Sequence, residues 1–170
     1  MATFTLLPDD TSSNDWNVTG SSAHEAVQAD DGDTTNINST TNGDVCVLTM
    51  ANPSVSEGAI DSITNYRLCI LGRCPSRGTS GSDVSISVID PTNGATADTV
   101  NLHNAFSSNE TECGSYQTSS ISYSDLEGMT IRLQKSGTAL ATITYAYVIV
   151  TYEAAAVAVT DNPIFFGTNF

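Results

Sequence analysis

The sequence is poor in positive charge. It has 5 Lys and Arg residues against 19 Asp and Glu, which gives a formal net charge of −14 at pH 7. Binding to a nucleic acid backbone needs cationic side chains that displace counterions, and attraction to an anionic membrane surface needs them as well. The composition therefore argues against nucleic acid and membrane partners, and it favours a soluble protein with a self-repelling outer surface.

Targeting and membrane-spanning segments are also absent from the sequence. Residues 1–8 have neither the basic region nor the apolar run of a signal peptide. No segment approaches the roughly 18 consecutive apolar residues of a membrane helix. We therefore expect a protein that is synthesised in the cytoplasm and does not enter the secretory route.

Residues suited to catalysis are scarce. His24 and His103 are the only histidines available as bases. The segment Gly78–Ser82 does not satisfy the G-x-S-x-G pattern of a nucleophile elbow, and the chain has no glycine-rich phosphate loop. With 19 acidic residues some carboxylate pair will always qualify for a glycosidase, so sequence cannot support that activity. We predict a protein without enzymatic activity and without a cofactor.

The four cysteines do not have the spacing of a zinc site. Cys69 and Cys74 are separated by four residues, and the sequence has no H-x₃₋₅-H pair to complement them. Cys46 and Cys69 lie in predicted strands, where each would act as a small buried apolar group. Cys74 and Cys113 lie in predicted loops, where a disulfide is plausible. Because cytoplasmic proteins usually keep thiols reduced, the sequence favours free thiols.

The rest of the chain indicates an all-β fold. Short runs of Val, Ile and Tyr alternate with clusters of Ser, Thr, Asn, Asp and Gly, and helix formers are scarce. At 170 residues we expect one domain. This pattern predicts a single antiparallel β-sandwich, jelly-roll-like, over residues 1–152, with a loosely structured segment at 1–41. The predicted strands are Thr3–Leu7, Thr35–Ile37, Val45–Met50, Ala59–Leu71, Asp83–Ile89, Asp98–Leu102, Thr118–Tyr123, Met129–Gln134 and Ala139–Tyr152.

Three turns and one helical turn punctuate these strands. Asn42–Asp44 and Lys135–Thr138 are predicted to close hairpins, and Asp90–Gly94 has the Pro and Gly of a tight turn. Ser124–Glu127 has the S-x-x-E pattern of a capping box. We therefore predict a single helical turn there, which Gly128 ends.

An acidic cluster raises the question of calcium. Asp30, Asp31 and Asp33 offer carboxylate oxygens, but they lack the spacing and the distal Glu of an EF-hand loop. The alternative is an acidic turn whose side chains cap its own backbone.

Aromatic residues raise the question of a sugar-binding surface. Tyr145 and Tyr147 share one face of the last strand and, with Trp16, could form a sugar-stacking face, because aromatic rings combine an apolar body with a polar tip. The alternative is ordinary cross-strand aromatic packing.

The C-terminal residues 153–170 form an extended arm in this prediction. Three of the five Phe residues of the chain lie in its last six positions. A solvated tail is normally polar and poor in aromatics, so we expect this arm to be buried against another chain. The predicted contacts are Ile164, Phe165, Phe166 and Phe170.

The order of these features resembles a known family. Trp16 is followed by the segment 24–27, the acidic stretch Asp30–Ile37, the segment Gly58–Ile63, and then Asp125–Met129 before a closing pair of strands. This order resembles the small jelly-roll-like β-sandwich virion proteins of tailed bacteriophages, of the decoration or cement type. The resemblance implies a structural role on the outer surface of the phage head, as a homo-oligomer bound to the major capsid protein or another virion subunit. The alternative is a receptor- or glycan-binding domain of a tail fibre or accessory virion surface protein.

Overall fold

A computed structural model describes residues 1–73, 84–89, 96–102, 109–118, 121–135, 137–138 and 140–156. In these ranges the chain forms eleven β-strands, one short α-helix and two 3₁₀ turns at Glu25–Val27 and Glu57–Ala59. The helix α1 spans Tyr123–Glu127. The strands are β1 (Ala2–Leu6), β2 (Pro8–Asn14), β3 (Asn17–Thr19), β4 (Asn36–Ser39), β5 (Val45–Met50), β6 (Ile60–Arg73), β7 (Val84–Ile89), β8 (Thr96–Leu102), β9 (Glu110–Cys113), β10 (Thr130–Lys135) and β11 (Ala141–Ala154).

The strands form two antiparallel sheets. The six-stranded sheet has the order β3-β4-β11-β6-β9, and β1 also pairs with β11. The five-stranded sheet has the order β2-β5-β10-β7-β8. Every strand pair is antiparallel. The predicted all-β, jelly-roll-like sandwich is therefore confirmed.

The core lies between the sheets, and side-chain alternation builds it. Successive residues of a strand point to opposite faces of the sheet. Each strand can therefore place one apolar set in the core while its other set faces outward. The inward positions of β5, β10 and β11 are buried, namely Cys46, Leu48, Met50, Ile131, Leu133, Ala146, Val148 and Val150.

The first 41 residues are more regular than the sequence suggested. They contain β1 to β4 and the first 3₁₀ turn. Trp16, Ala26 and Val27 within this segment belong to the core. The strand β2 lies at the edge of its sheet and most of its side chains are exposed. Because these side chains are exposed, they are polar. A polar composition is also typical of loops, so the sequence did not indicate a strand here.

Two predicted hairpins are crossovers between the sheets. β4 and β5 belong to different sheets, and so do β10 and β11. The two crossovers lie side by side, because Gly43 N donates to Lys135 O at 2.8 Å and Gly137 N donates to Asn42 Oδ1 at 2.9 Å. By contrast β7 and β8 pair directly as neighbours, although the turn at 90–94 that joins them lies outside the described residues.

The predicted helical turn is present, but its capping box is formed by Ser122 and Asp125, two residues earlier than the predicted pair Ser124 and Glu127. Ser122 is the N-cap of α1, and its hydroxyl accepts from Asp125 N while the Asp125 carboxylate accepts from Ser122 N. The predicted strand Thr118–Tyr123 is replaced by an isolated bridge between Gln117 and Tyr66, followed by this helix. Among the helices in the described ranges, none is long and apolar enough to cross a membrane.

Candidate functional site

The outer face of the six-stranded sheet carries aromatic side chains that the core does not use. On β11, Ala146, Val148 and Val150 are buried inward, so Tyr145, Tyr147 and Ile149 point outward. A β-bulge between Ile143 and Tyr145 sets this orientation. Without the extra residue, the alternation would turn the tyrosines into the core.

Strand register places β6 side chains beside these residues. Tyr145 lies opposite Leu71, Tyr147 opposite Cys69, and Ile149 opposite Arg67. Residues opposite each other in neighbouring strands share a face and interact directly. We call the group the outer tyrosine face; its members are Tyr145, Tyr147, Ile149, Arg67, Leu71 and Tyr116.

Tyr145 and Tyr147 stack on each other. Their ring centroids are 4.7 Å apart and the ring planes differ by 29°, and both side chains remain partly exposed. Burial raises the pKa of Tyr145 above its usual value, and the nearby Tyr147 and Asp30 add to the effect. The phenol of Tyr145 is therefore protonated at neutral pH, as a hydrogen-bond donor. The prediction that the two tyrosines share one face is confirmed.

Tyr116 lies across the sheet from this pair. The bridge between Tyr66 and Gln117 holds its chain segment against β6. Its ring lies under the Arg67 guanidinium, with the Arg67 Cζ 4.5 Å from the ring centroid. The Tyr116 side chain is 53% exposed, the most exposed aromatic residue in the described ranges. An aromatic ring held by an arginine and open to solvent is a pre-organised contact surface.

A disulfide joins β6 and β9 within the same face. Cys69 and Cys113 are directly opposite in the register, with Cα atoms 4.1 Å apart, and they form a disulfide. The free thiols favoured from sequence are therefore wrong at these two positions. That prediction depended on an expected reducing compartment, and because β9 was not predicted, nothing in the sequence indicated that Cys113 lies opposite Cys69. The alternative partner, Cys74, lies outside the described residues.

Cys46 remains a free thiol in the core, as the sequence predicted. Burial raises its pKa to about 12, with a smaller contribution from the charge of Asp15. A thiol with that pKa is almost entirely protonated at neutral pH and is therefore a poor nucleophile.

The acidic cluster forms a compact turn beside this face. The Asp31 carboxylate accepts from Thr35 N at 3.1 Å and from Thr35 Oγ1 at 2.7 Å, and these bonds lower the pKa of Asp31. The Asp33 carboxylate instead accepts from Asn109 and from Arg73. In the part of the chain that the structure describes, no group of three or more possible metal ligands lies together. The geometry corresponds to the acidic turn that caps its own backbone.

Acid should release the contact between Asp33 and Arg73. The hydrogen bond from Asn109 and the charge of Arg73 together lower the pKa of Asp33, from an unfolded value of about 3.9. A lowered folded-state pKa means that the contribution to stability is present above about pH 4 and is lost as the pH falls through the folded value. Because both side chains are about one-third exposed, we expect less than about 1 kcal/mol.

The measurement is the thermal midpoint of the wild-type protein and of Asp33→Asn between pH 6 and pH 2.5. Asn tolerates the positive φ of 75° at this position. The difference between the two proteins should shrink as the pH falls through the folded pKa. A difference that stays constant over this range would contradict the assigned role.

The contacts of His24 with the described residues do not have the geometry of a catalytic relay. Its Nδ1 lies 3.0 Å from Thr11 Oγ1 and 3.2 Å from Ser22 Oγ. Glu25 accepts from the Ser22 hydroxyl at 2.9 Å, whereas a nucleophile-base-acid relay places the acid on the far side of the imidazole. These contacts instead tie the first 3₁₀ turn to β2. His103 lies outside the described residues.

The structure separates Trp16 from the tyrosines. Trp16 is only 3% exposed and lies in the core, where its backbone N donates to Asn14 Oδ1 at 3.1 Å. The expected contribution of Trp16 to a sugar-stacking face is therefore wrong. The predicted contacts of the arm, Ile164, Phe165, Phe166 and Phe170, lie outside the described residues.

Sequence reasoning missed Arg67 and Tyr116. Their sequence positions give no signal of proximity, because Tyr116 lies in an irregular segment after the unpredicted strand β9. The one signal in the sequence is the two-residue alternation of β6. It places Arg67 on the face opposite Leu68 and Ile70, which are buried in the structure.

Comparisons with known proteins give fold-level similarity only. No family model matches the chain, and no curated protein matches it. Among solved structures, the CBM35 from Cellvibrio japonicus Abf62 is 16% identical with a TM-score of 0.46, over 91% of this chain and 97% of that one. The xylan-binding module CBM15 is 13% identical with a TM-score of 0.45, over 88% and 98%. The Agl-KA catalytic domain is 16% identical with a TM-score of 0.47, and this chain spans only 30% of it. At this identity and TM-score, none of these proteins indicates a function for this chain.

Proposed function

We propose that this chain is a non-catalytic carbohydrate-binding module that holds an oligosaccharide on the outer tyrosine face. The observation that carries the proposal is the stacked pair of Tyr145 and Tyr147, turned outward by the β-bulge and left partly exposed. Tyrosines placed in this way contribute little to the core, so their position is explained better by contact with a ligand.

The chemistry of the face suits a sugar. A sugar ring has apolar C–H surfaces and hydroxyl groups at its edge, and tyrosine offers the same combination of an apolar ring and a polar tip. On the neighbouring strand β4, the amide groups of Asn36 and Asn38 are joined by a hydrogen bond of 3.1 Å and lie on the same face as the tyrosines. Apolar surface with a few placed polar groups is typical of small-ligand sites.

The spacing of the aromatic groups favours a chain of sugars over a single ring. β11 and β9 are separated by β6, and neighbouring strands lie about 4.8 Å apart. Tyr147 and the Tyr116 segment are therefore separated by roughly 10 Å across the sheet. A ligand that contacts both has to extend over that distance, as an oligosaccharide does.

Replacement of Tyr147 by Ala tests the proposal. On a panel of soluble oligosaccharides followed by calorimetry, the wild-type protein should bind at least one ligand. Tyr147→Ala should weaken that binding about tenfold or more, which corresponds to about 1.4 kcal/mol. The substitution removes one aromatic ring of the pair, and the Tyr145 ring loses the neighbour on which it stacks. Leu140→Ala is the matched control, since Leu140 is apolar, 38% exposed and outside the outer tyrosine face. Binding of no oligosaccharide, or equal binding by Tyr147→Ala, would contradict the proposal.

Decoration of a phage head, with the major capsid protein or another virion subunit as partner, stays a prediction from the sequence resemblance. Its strongest argument is the C-terminal arm, and residues 157–170 lie outside the described part of the chain. The outer tyrosine face is the observation that favours glycan binding, which the sequence left as the alternative to a decoration protein.

A further inference from the structure

We infer that Arg67 forms an anion subsite within the outer tyrosine face, so that the bound glycan carries a carboxylate or a sulfate group. This inference rests on the proposed function and narrows its ligand class. The evidence is a difference between the side-chain partners of Arg67 and Arg73.

Arg67 and Arg73 lie on the same strand but differ in their side-chain partners. Both lie on β6, six residues apart, and the alternation of the strand turns both side chains to the outer face. Arg73 is ion-paired with Asp33. Within the described residues, Arg67 forms neither an ion pair nor a side-chain hydrogen bond, and its only side-chain partner is the Tyr116 ring. In a chain with 19 acidic residues and 5 Lys and Arg, a cation without an acidic partner requires an explanation.

The geometry leaves the guanidinium ready for an anion. The Arg67 Cζ lies over the Tyr116 ring, 4.5 Å from the ring centroid. A cation–π contact uses the positive charge of the guanidinium rather than a hydrogen bond, so it does not occupy the N–H groups. The planar fork of N–H donors matches the paired oxygens of a carboxylate or sulfate. Stacking also limits the rotamers of Arg67 before the ligand arrives, which reduces the entropy lost on binding.

Two buried polar atoms beside the subsite remain without partners. Among the described residues, neither the Arg67 Nε nor the Asn65 Oδ1 has a hydrogen-bond partner, and their residues are two positions apart on the same side of β6. Polar groups that are buried without a partner are uncommon, so each of them needs an explanation. An anion bound to the terminal N–H groups of Arg67 would balance the positive charge of the guanidinium, for which the described part of the sheet offers no acidic partner.

The net charge of −14 does not oppose this subsite at contact distance. Charges farther away than about 10 Å are largely screened at an ionic strength of 0.1 M. Repulsion of an acidic glycan therefore acts mainly on the approach, whereas Arg67 acts on the bound complex.

The experiment compares three oligosaccharides with the same backbone, one neutral, one bearing uronic acid groups and one sulfated. Calorimetry is carried out with wild-type protein, Arg67→Gln and Arg67→Lys. The matched control is Arg132→Gln, which makes the same charge change on the outer side of the five-stranded sheet. The wild-type protein should bind at least one of the two anionic ligands at least tenfold more tightly than the neutral one. Arg67→Gln should reduce that binding to the neutral level without affecting the neutral ligand. Arg67→Lys should retain part of it, because lysine keeps the charge but not the fork.

The outcomes separate the two proposals. Preference for the uronic acid ligand or for the sulfated ligand identifies the anionic group. Equal affinity of the wild-type protein for all three ligands would overturn the anion subsite and leave glycan binding intact. Loss of neutral binding in Arg67→Gln would also overturn it, because Arg67 would then act only by holding Tyr116. Binding of no ligand would overturn both proposals. If Arg67→Gln does not fold, a several-fold loss for the anionic ligand alone in Arg67→Lys supports the subsite, and unchanged affinity overturns it.

Discussion

Loss of the Cys69–Cys113 disulfide should lower the free energy of unfolding by about 4 kcal/mol. The bond closes a loop with a sequence separation of 44 residues, and the chain-entropy relation gives roughly this value for a loop of that length. For a protein of this size, about 1 kcal/mol corresponds to a shift of about 2–4 °C in the thermal midpoint. The thermal midpoint of Cys69→Ala/Cys113→Ala should therefore fall by roughly 8–16 °C, as measured by calorimetry.

Controls distinguish the disulfide from other effects of reduction. A reducing agent should lower the midpoint of the wild-type protein but not that of the double variant. Cys46, a buried thiol with a pKa of about 12, should stay unmodified by alkylating agents until the protein unfolds. Equal midpoints with and without reductant, together with alkylation of Cys113 in the unreduced native protein, would show that the bond does not form.

The disulfide also bears on the environment in which the protein works. Such bonds form and persist under oxidising conditions and are rare in the cytosol. Detection of the bond in purified native protein would therefore argue against a permanently cytoplasmic location. It also fastens β9, the strand just before Tyr116, to the outer tyrosine face. We expect reduction of the disulfide to weaken glycan binding, because β9 and the following Tyr116 would be held less firmly against β6.

Replacement of Trp16 by Ala should destabilise the protein by about 3–5 kcal/mol. The side chain is 3% exposed and belongs to the core cluster, and truncation of a buried Trp removes apolar contact and leaves a cavity. Chemical denaturation followed by circular dichroism gives the free energy of unfolding. Trp16→Phe is the matched control. It fills part of the cavity and removes the Nε1 donor, which is buried without a partner, so its cost should be clearly smaller.

The Trp16 variants also test the choice of binding face. Because Trp16 is in the core, Trp16→Phe should bind glycans as the wild-type protein does. If Trp16→Phe lost glycan binding while its stability stayed close to wild type, Trp16 would be a ligand contact. The outer tyrosine face would then no longer be a sufficient description of the site.

Local pattern was enough to predict the central strands. β5 was predicted with the observed bounds Val45–Met50, and the long strands β6 and β11 were found with ends displaced by a few residues. These strands have apolar side chains on their inner face, and a two-residue period is visible in any sequence window. The edge strands β2, β3 and β9 were missed because their exposed side chains are polar, which is also the composition of a loop.

The sequence by itself determined the fold class, the sharing of one face by Tyr145 and Tyr147, and the burial of Cys46. Tertiary structure alone decided that this face points outward, that Cys69 pairs with Cys113, and that Arg67 meets Tyr116. The first set depends on side-chain alternation within one strand, which is a local property of the chain. The second set depends on a β-bulge and on the register between strands that are distant in sequence. A shift of one residue in that register reverses every side chain of a strand, and local sequence does not specify it.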